Sequence, residues 1–175
     1  MVDGMNWKII RHGDLQTGYA LAIAEIKNQH WPYGIQSQID WMNANIMEND
    51  LHLLGLEENG DAYNLIAYLT LSRIKAVIDN QEDQFIGIGG VCIDKEHLHT
   101  GLGKILVEES NRYIVKQGMQ GMLLCKDNLI PFYHKCGWQK VNYQSAEVAK
   151  EEYKFNIMTL NGLHECRSIS IDRNF

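Results

Sequence analysis

The feature that most constrains this chain is a strand-like stretch, FIGIGGVCID (85–94), that runs almost at once into HLHTGLGKIL, His97 to Leu106. A β-rich run that passes through two glycines into a helical pattern demands a sharp strand-to-helix turn. Gly101 and Gly103 free the backbone to fold tightly there. Several amide N–H groups then point outward at the positive end of the helix dipole. Such a turn is either a phosphate socket or a plain structural bend.

Two phosphate motifs are excluded by the letters. A Walker loop ending at Gly103-Lys104 needs Gly at position 98 and Ser or Thr at 105, where Leu98 and Ile105 stand. A dinucleotide fingerprint starting at Gly101 needs a third glycine where Leu106 is found.

The rest of the chain alternates strand and helix patterns, without repeats or low-complexity tracts. Trp7 to Ile10 reads as a short opening strand. Leu15, Tyr19, Ala22, Ile23 and Ile26 recur at helical spacing up to about Gln29, and WPYG (31–34) breaks that helix. A second helix carries Ile35, Ile39, Met42 and Ile46 on one face, with Ser37 near its start. Leu51 to Leu56 is a compact apolar run. Leu65, Ala67, Leu69 and Leu71 alternate with Asn64, Ile66, Tyr68 and Thr70 along a long strand. DNQEDQ (79–84) reads as a hairpin loop. After the glycine loop come a helix to about Gln117, a strand at Met119 to Leu124, and a helix from Asn128 to about Cys136 that Gly137 can end. Weak strands follow near Gln139 to Tyr143 and Tyr153 to Leu160. The tally is a mixed α/β (α+β) domain, with an antiparallel meander first and a strand-helix-strand-helix unit later.

A chain of 175 residues, 45% hydrophobic and 22% charged, is long enough to bury a core as one domain. A net charge of -6 with no Lys or Arg run argues against a nucleic-acid partner. The four cysteines, Cys92, Cys125, Cys136 and Cys166, form no C-x-x-C pair and fit a reducing cytoplasm. MVDGMNWKII lacks the pattern of an export signal, and no apolar run approaches the ~20 residues of a membrane span.

Two further elements carry chemistry. Gly87, Gly89 and Gly90 weaken their strand, so they mark a bend, a bulge or a close backbone approach. An amide-bearing ligand would pair with the main chain around Val91 to Ile93 as an added strand does. In DNLIPFYHKCGW (127–138), Asn128 is placed to cap a helix, Pro131 suits its first turn, and Tyr133 lies on its body. A tyrosine there packs on the sheet or donates a proton.

In this order and spacing, V-C-I-D, H-L-H-T-G-L-G-K-I-L and N-L-I-P-F-Y-H-K-C-G-W resemble the GNAT superfamily of acyl-CoA-dependent N-acyltransferases, over roughly Phe85 to Val141. The resemblance implies a mostly antiparallel central sheet flanked by helices, with residues 1–160 as one domain and 161–175 as its extension. It implies that Val91, Cys92 and Ile93 hydrogen-bond the pantetheine arm and polarise the thioester. Leu98, His99, Thr100, Gly101, Leu102, Gly103 and Lys104 would cradle the pyrophosphate of acetyl-CoA. Asn128 would contact the cofactor, and Tyr133 would protonate the departing thiolate. The family loop usually opens with Arg or Gln where this chain has Leu98. His97, His99 or Lys104 would supply compensating charge. His97, His99 and Cys92 lack a further ligand nearby, so no metal is expected.

The implied reaction is direct attack by a neutral amine in a ternary complex, with strand amides near Cys92 or Ile93 on the developing oxyanion. Cys92 reads as a buried thiol rather than an acyl carrier. Glu57, Glu82 and Asp83 are the nearest carboxylates for a base, and each reads as a solvated charge, leaving the base unassigned. Trp31 and Tyr33 would either wall the acceptor pocket or pack at the core edge. The acidic loops Glu57 to Asp61 and Asp79 to Asp83 would favour a cationic small-molecule, protein or peptide amine. The tail alternates from Arg167 to Ile171 like an edge strand that covers the sheet, exchanges within a homodimer or hangs free. Two other readings stay open: an inactive coenzyme A-binding domain, and an acyltransferase using a longer acyl-CoA or a carrier-protein thioester.

Overall fold

A computed structural model of the protein describes residues 5–60 and 62–175. Part of the N-terminal segment read against an export signal, and Asp61 of the first acidic loop, lie outside the described residues. The fold is mixed α/β, with a mostly antiparallel central sheet flanked by helices, as the sequence predicts. The chain divides into two compact units: the described residues up to Ser72 with Gly90–Leu106, and Arg73–Gly89 with Val107–Phe175.

In the first unit, β1 (Met5–Arg11), β2 (Leu51–Asn59) and the first half of β3 (Ala62–Ile78) form an antiparallel meander. Helices α1 (Thr17–His30) and α2 (Ile35–Asn45) follow the expected apolar stripe. Ile23, Ile26 and Met42 meet Leu54, Leu56, Tyr68 and Cys92 in one core. Ser37 does not cap α2; Gly34 holds that position at φ 93°. Ile66 to Ser72 are all buried, so β3 alternates only from Arg73 onward. This core also holds a polar chain: His12 Nδ1 lies 2.9 Å from His52 Nε2, and His52 Nδ1 lies 2.9 Å from the Tyr68 hydroxyl. His52 and Tyr68 are fully buried. Burial, with the charges of His12 and Lys27, lowers the His52 imidazole to about 4, against the pull of Asp50.

In the second unit the hydrogen-bonded order is β6 (Gln139–Lys140), β9 (Asn156–Leu160), β5 (Gln120–Cys125), β4 (Gln81–Ile93), β3, β10 (Ser168–Ile171), β7 (Ser145–Val148) and β8 (Glu151–Glu152). The parallel pairs are β4 with β5 and β10 with β7. The predicted six-residue hairpin loop is a two-residue turn, Asp79 and Asn80, with φ of 48° and 70°. Strand twist favours such left-handed turns, and Gln81 already belongs to β4. Helix α3 (Leu102–Lys116) begins at the glycine loop, and α4 (Ile130–Lys135) carries Pro131 in its first turn. Gly137 follows α4 at φ 90°, as its C-cap role requires.

The tail is not an edge strand. β10 is inserted between β3 and β7, and the Asp79 carboxylate accepts the Arg167 and Ser168 amides at 2.9 and 2.8 Å. A Cβ on Gly87 would lie 2.4 Å from the Phe175 ring, so this glycine makes room for the last residue rather than for a ligand. No helix among the described residues is long and apolar enough to cross a membrane.

Candidate active site

The residues singled out in the sequence fall in both units. In the first, β4 passes Gly90, at φ 59°, and ends at Val91–Ile93. The Cys92 side chain is 3% exposed, and burial pushes its thiol up to about 12 despite the nearby Lys27 charge. A thiol so held stays protonated at neutral pH. The Ile93 carbonyl accepts a hydrogen bond from His30 Nε2 at 2.6 Å.

Asp94 then ties this strand end to α1. Its carboxylate accepts from Gln29 Nε2 at 2.8 Å and from the Glu96 amide at 3.0 Å, and Gln29 Oε1 accepts the Lys95 amide at 2.8 Å. Burial pushes the Asp94 carboxyl up, and hydrogen bonds from Gln29, His97 and Glu96 outweigh it for a net lowering. His97 is not available as a phosphate ligand. Its Nδ1 lies 3.2 Å from Asp94 and its Nε2 3.6 Å from Glu57, so two carboxylates hold it.

The loop takes the tight form that the glycines allow. His99 and Gly101 have φ of 63° and 88°, and the Thr100 hydroxyl between them donates to the His97 carbonyl at 2.7 Å. A Cβ on Gly101 would meet nothing within 4 Å, so the backbone conformation, and not crowding, calls for glycine. Leu102 is buried and anchors the helix start, while Leu98 is 40% exposed. The Lys104 and Ile105 amides bond back to the Gly101 carbonyl at 3.0 and 3.3 Å. The Leu102 and Gly103 amides have no acceptor among the described residues, as expected of the open end of a helix.

Just past the C-terminal end of α1, Trp31 and Tyr33 are exposed, Tyr33 by 74%, so the Tyr33 ring does not pack into the core. The loop itself is held firmly: Gln38 Nε2 donates to the Trp31 carbonyl at 2.7 Å, and the Gly34 amide to Asn28 Oδ1 at 2.8 Å. The candidate carboxylate bases are all engaged. Glu57 meets His97, Glu82 lies 3.6 Å from Lys75, and Asp83 accepts the Gln84 amide.

In the second unit, Asn128 and Tyr133 share one short segment. Asn128 is exposed within a 3-10 turn (Asp127–Leu129) and does not cap α4, whose N-cap is Leu129. Asn156, which sequence reasoning did not single out, ties this junction by donating to Asp127 Oδ1 at 2.8 Å and the Cys125 carbonyl at 3.3 Å. Tyr133 is 7% exposed. Burial raises its phenol well above the usual value, with the Cys125 and Cys136 thiols adding to the shift. Its hydroxyl bonds to no protein group among the described residues.

Most of the chain also matches a known family. The model of the acetyltransferase (GNAT) family matches residues 20–138. This chain belongs to the GNAT family. No curated protein matches it in sequence. Its fold is similar to that of an acyl-CoA N-acyltransferase from Pseudomonas aeruginosa, with a TM-score of 0.64 at 17% identity over 90% of this chain and 99% of that one. It is also similar to a GNAT family acetyltransferase from Brucella melitensis in complex with acetyl-CoA, with a TM-score of 0.58 at 15% identity over 93% and 92%. The ribosomal-protein-S18-alanine N-acetyltransferase from Escherichia coli gives a TM-score of 0.58 at 18% identity over 89% and 93%. GNAT membership therefore rests on the family match, and the structural likeness speaks to the fold.

Proposed function

We propose that this GNAT protein is an N-acetyltransferase that passes an acetyl group from acetyl-CoA to a primary amine by direct attack. The observation that carries the reading is the start of α3, where Gly101 adopts φ 88° and the Leu102 and Gly103 amides have no acceptor among the described residues. Amides at a helix N-terminus suit a pyrophosphate. In this reading Leu98 to Lys104 hold the pyrophosphate of coenzyme A and Asn128 contacts the cofactor. The main chain of Val91, Cys92 and Ile93 holds the pantetheine arm and the thioester carbonyl. Amides near Cys92 and Ile93 stabilise the oxyanion, and Tyr133 donates its proton as the C–S bond breaks. Its raised phenol is always protonated near neutral pH, and a water-poor site makes the departing thiolate a stronger base than it is in water. Trp31 and Tyr33 face the acceptor, a small-molecule or peptide amine. No metal takes part. Residues 1–160 act as one domain with 161–175 as its extension, in a cytoplasm whose reducing poise suits four buried cysteines outside any disulfide.

The reading is tested by calorimetric titration of acetyl-CoA, desulfo-CoA and a fatty acyl-CoA into wild type and a Gly101→Glu, Gly103→Glu double variant. The expected result is acetyl-CoA binding that the variant weakens by roughly 100-fold, from two negative charges against the phosphates and a strained φ. Binding to none of the three overturns the acyl-CoA reading. Preference for the fatty acyl-CoA moves it to a longer-chain transferase.

A further inference from the structure

We propose that His30 is the general base that takes the proton from the acceptor amine, an inference that rests on the acetyltransferase reading above. A carbonyl oxygen only accepts, so the 2.6 Å contact with Ile93 fixes the hydrogen on His30 Nε2. In the neutral ring Nδ1 is therefore a bare lone pair, and it has no protein partner among the described residues. The same contact places the ring against the end of β4. Ile93 adjoins Cys92, and one strand residue spans only about 3.3 Å, so the imidazole lies close to the amides assigned to the thioester carbonyl. His30 also immediately precedes Trp31 and Tyr33, the exposed rings assigned to the acceptor. Its ring stands 6.0 Å from that of Trp31.

The corner is rigid on both sides. Gln29, the neighbour of His30, is bound to Asp94 and to the Lys95 amide, which ties the end of α1 to the end of β4, and the ring itself is held by the Ile93 carbonyl. The charged groups packed here are Lys27 one turn earlier on α1, Asp94 and Lys95 after β4, and His97 and Glu57 beyond Asp94. None lies within ion-pair distance of the His30 ring among the described residues. The three carboxylates considered from the sequence are occupied by His97, Lys75 and a backbone amide.

The proton count balances. The ammonium loses one proton to His30 Nδ1, the amine nitrogen bonds the carbonyl carbon, and the C–S bond breaks as sulfur takes the Tyr133 proton. The nitrogen's second proton restores the Tyr133 phenol, and His30 releases its own to solvent. The sum is ammonium plus acetyl-CoA giving amide, coenzyme A thiol and one free proton.

The test compares wild type, His30→Gln and His30→Ala, with acetyl-CoA and two amine probes, alaninamide and Nα-acetyl-lysinamide. Their amines have pKa values of about 8 and about 10.4. Glutamine keeps an N–H for the Ile93 carbonyl and cannot accept the proton. The expected result is unchanged acetyl-CoA affinity by calorimetry with thiol release about 100-fold slower at neutral pH. That deficit shrinks as pH approaches each amine's own pKa, sooner for alaninamide, and added imidazole restores His30→Ala. Turnover of His30→Gln within about threefold of wild type overturns the proposal while leaving the transferase reading intact. A deficit independent of pH and accompanied by weaker acetyl-CoA binding also overturns it, in favour of a structural role. Wild type that binds acetyl-CoA and transfers to neither amine overturns the base assignment together with the acetyltransferase reading.

Discussion

Acidification tests the buried chain from His12 to Tyr68 directly. An unfolded chain protonates histidine near 6.5, whereas burial holds His52 at about 4 in the fold. Between those values the unfolded state binds a proton that the native state refuses. Stability is therefore full above about pH 6.5 and is lost as pH falls towards 4. At about 1.4 kcal/mol per pH unit, the full window amounts to about 3 kcal/mol. His12 is lowered too, chiefly by burial, and pulls in the same direction. Asp79 and Asp94, whose carboxyls are held low, keep their contribution until the pH drops below the ordinary aspartate value of 3.8, so they do not confound the window. The assay is urea unfolding followed by tryptophan fluorescence at pH 7, 5.5 and 4.5, on wild type and His52→Gln. Wild type is expected to lose about 2–3 kcal/mol by pH 4.5. His52→Gln, weaker at pH 7, should lose only the part due to His12. A flat wild-type profile, or the same slope in both proteins, refutes the reasoning.

Two further outcomes concern the cofactor. Tyr133→Phe should slow acetyl-CoA-dependent thiol release by roughly 100-fold with calorimetric affinity unchanged, because the ring's packing survives and only the donor is lost. Leu98 is exposed at the mouth of the loop. Leu98→Arg should tighten acetyl-CoA binding roughly fivefold in titrations at low salt, with the gain fading as ionic strength rises.

Much of the fold was legible because local rules dominate where periodicity is strong. The stripes Ile23–Ile26 and Ile35–Met42 reached the core as read, and the glycine loop opened a helix that ends within a residue of the expected Gln117. Errors fell where tertiary pairing overrides local pattern. Gln81 to Gln84 are polar and look like loop, yet hairpin pairing keeps them in β4. Arg167 to Ile171 alternate like an edge strand, yet β7 covers their free side. Asn128 has the right chemistry for a cap, but an intervening 3-10 turn shifts α4 past it.

The candidate site divides in the same way. The turn at Gly101, the short helix carrying Tyr133 and the strand end at Val91–Ile93 were readable because backbone conformation is set by glycine spacing and by short ordered motifs. His30 carries no mark in the sequence, since nothing in HWPYG says that its ring meets a carbonyl sixty-three residues away. His97 and Glu57 seemed independent until folding placed them 3.6 Å apart. Sequence by itself determined which segments become strands and helices and where the backbone can turn sharply. Tertiary structure alone decided which charges cancel one another, which glycine answers to a distant ring, and which imidazole nitrogen is left bare. Conformational preference is local to a few residues, whereas burial, pairing and proton affinity depend on neighbours that only the folded chain supplies.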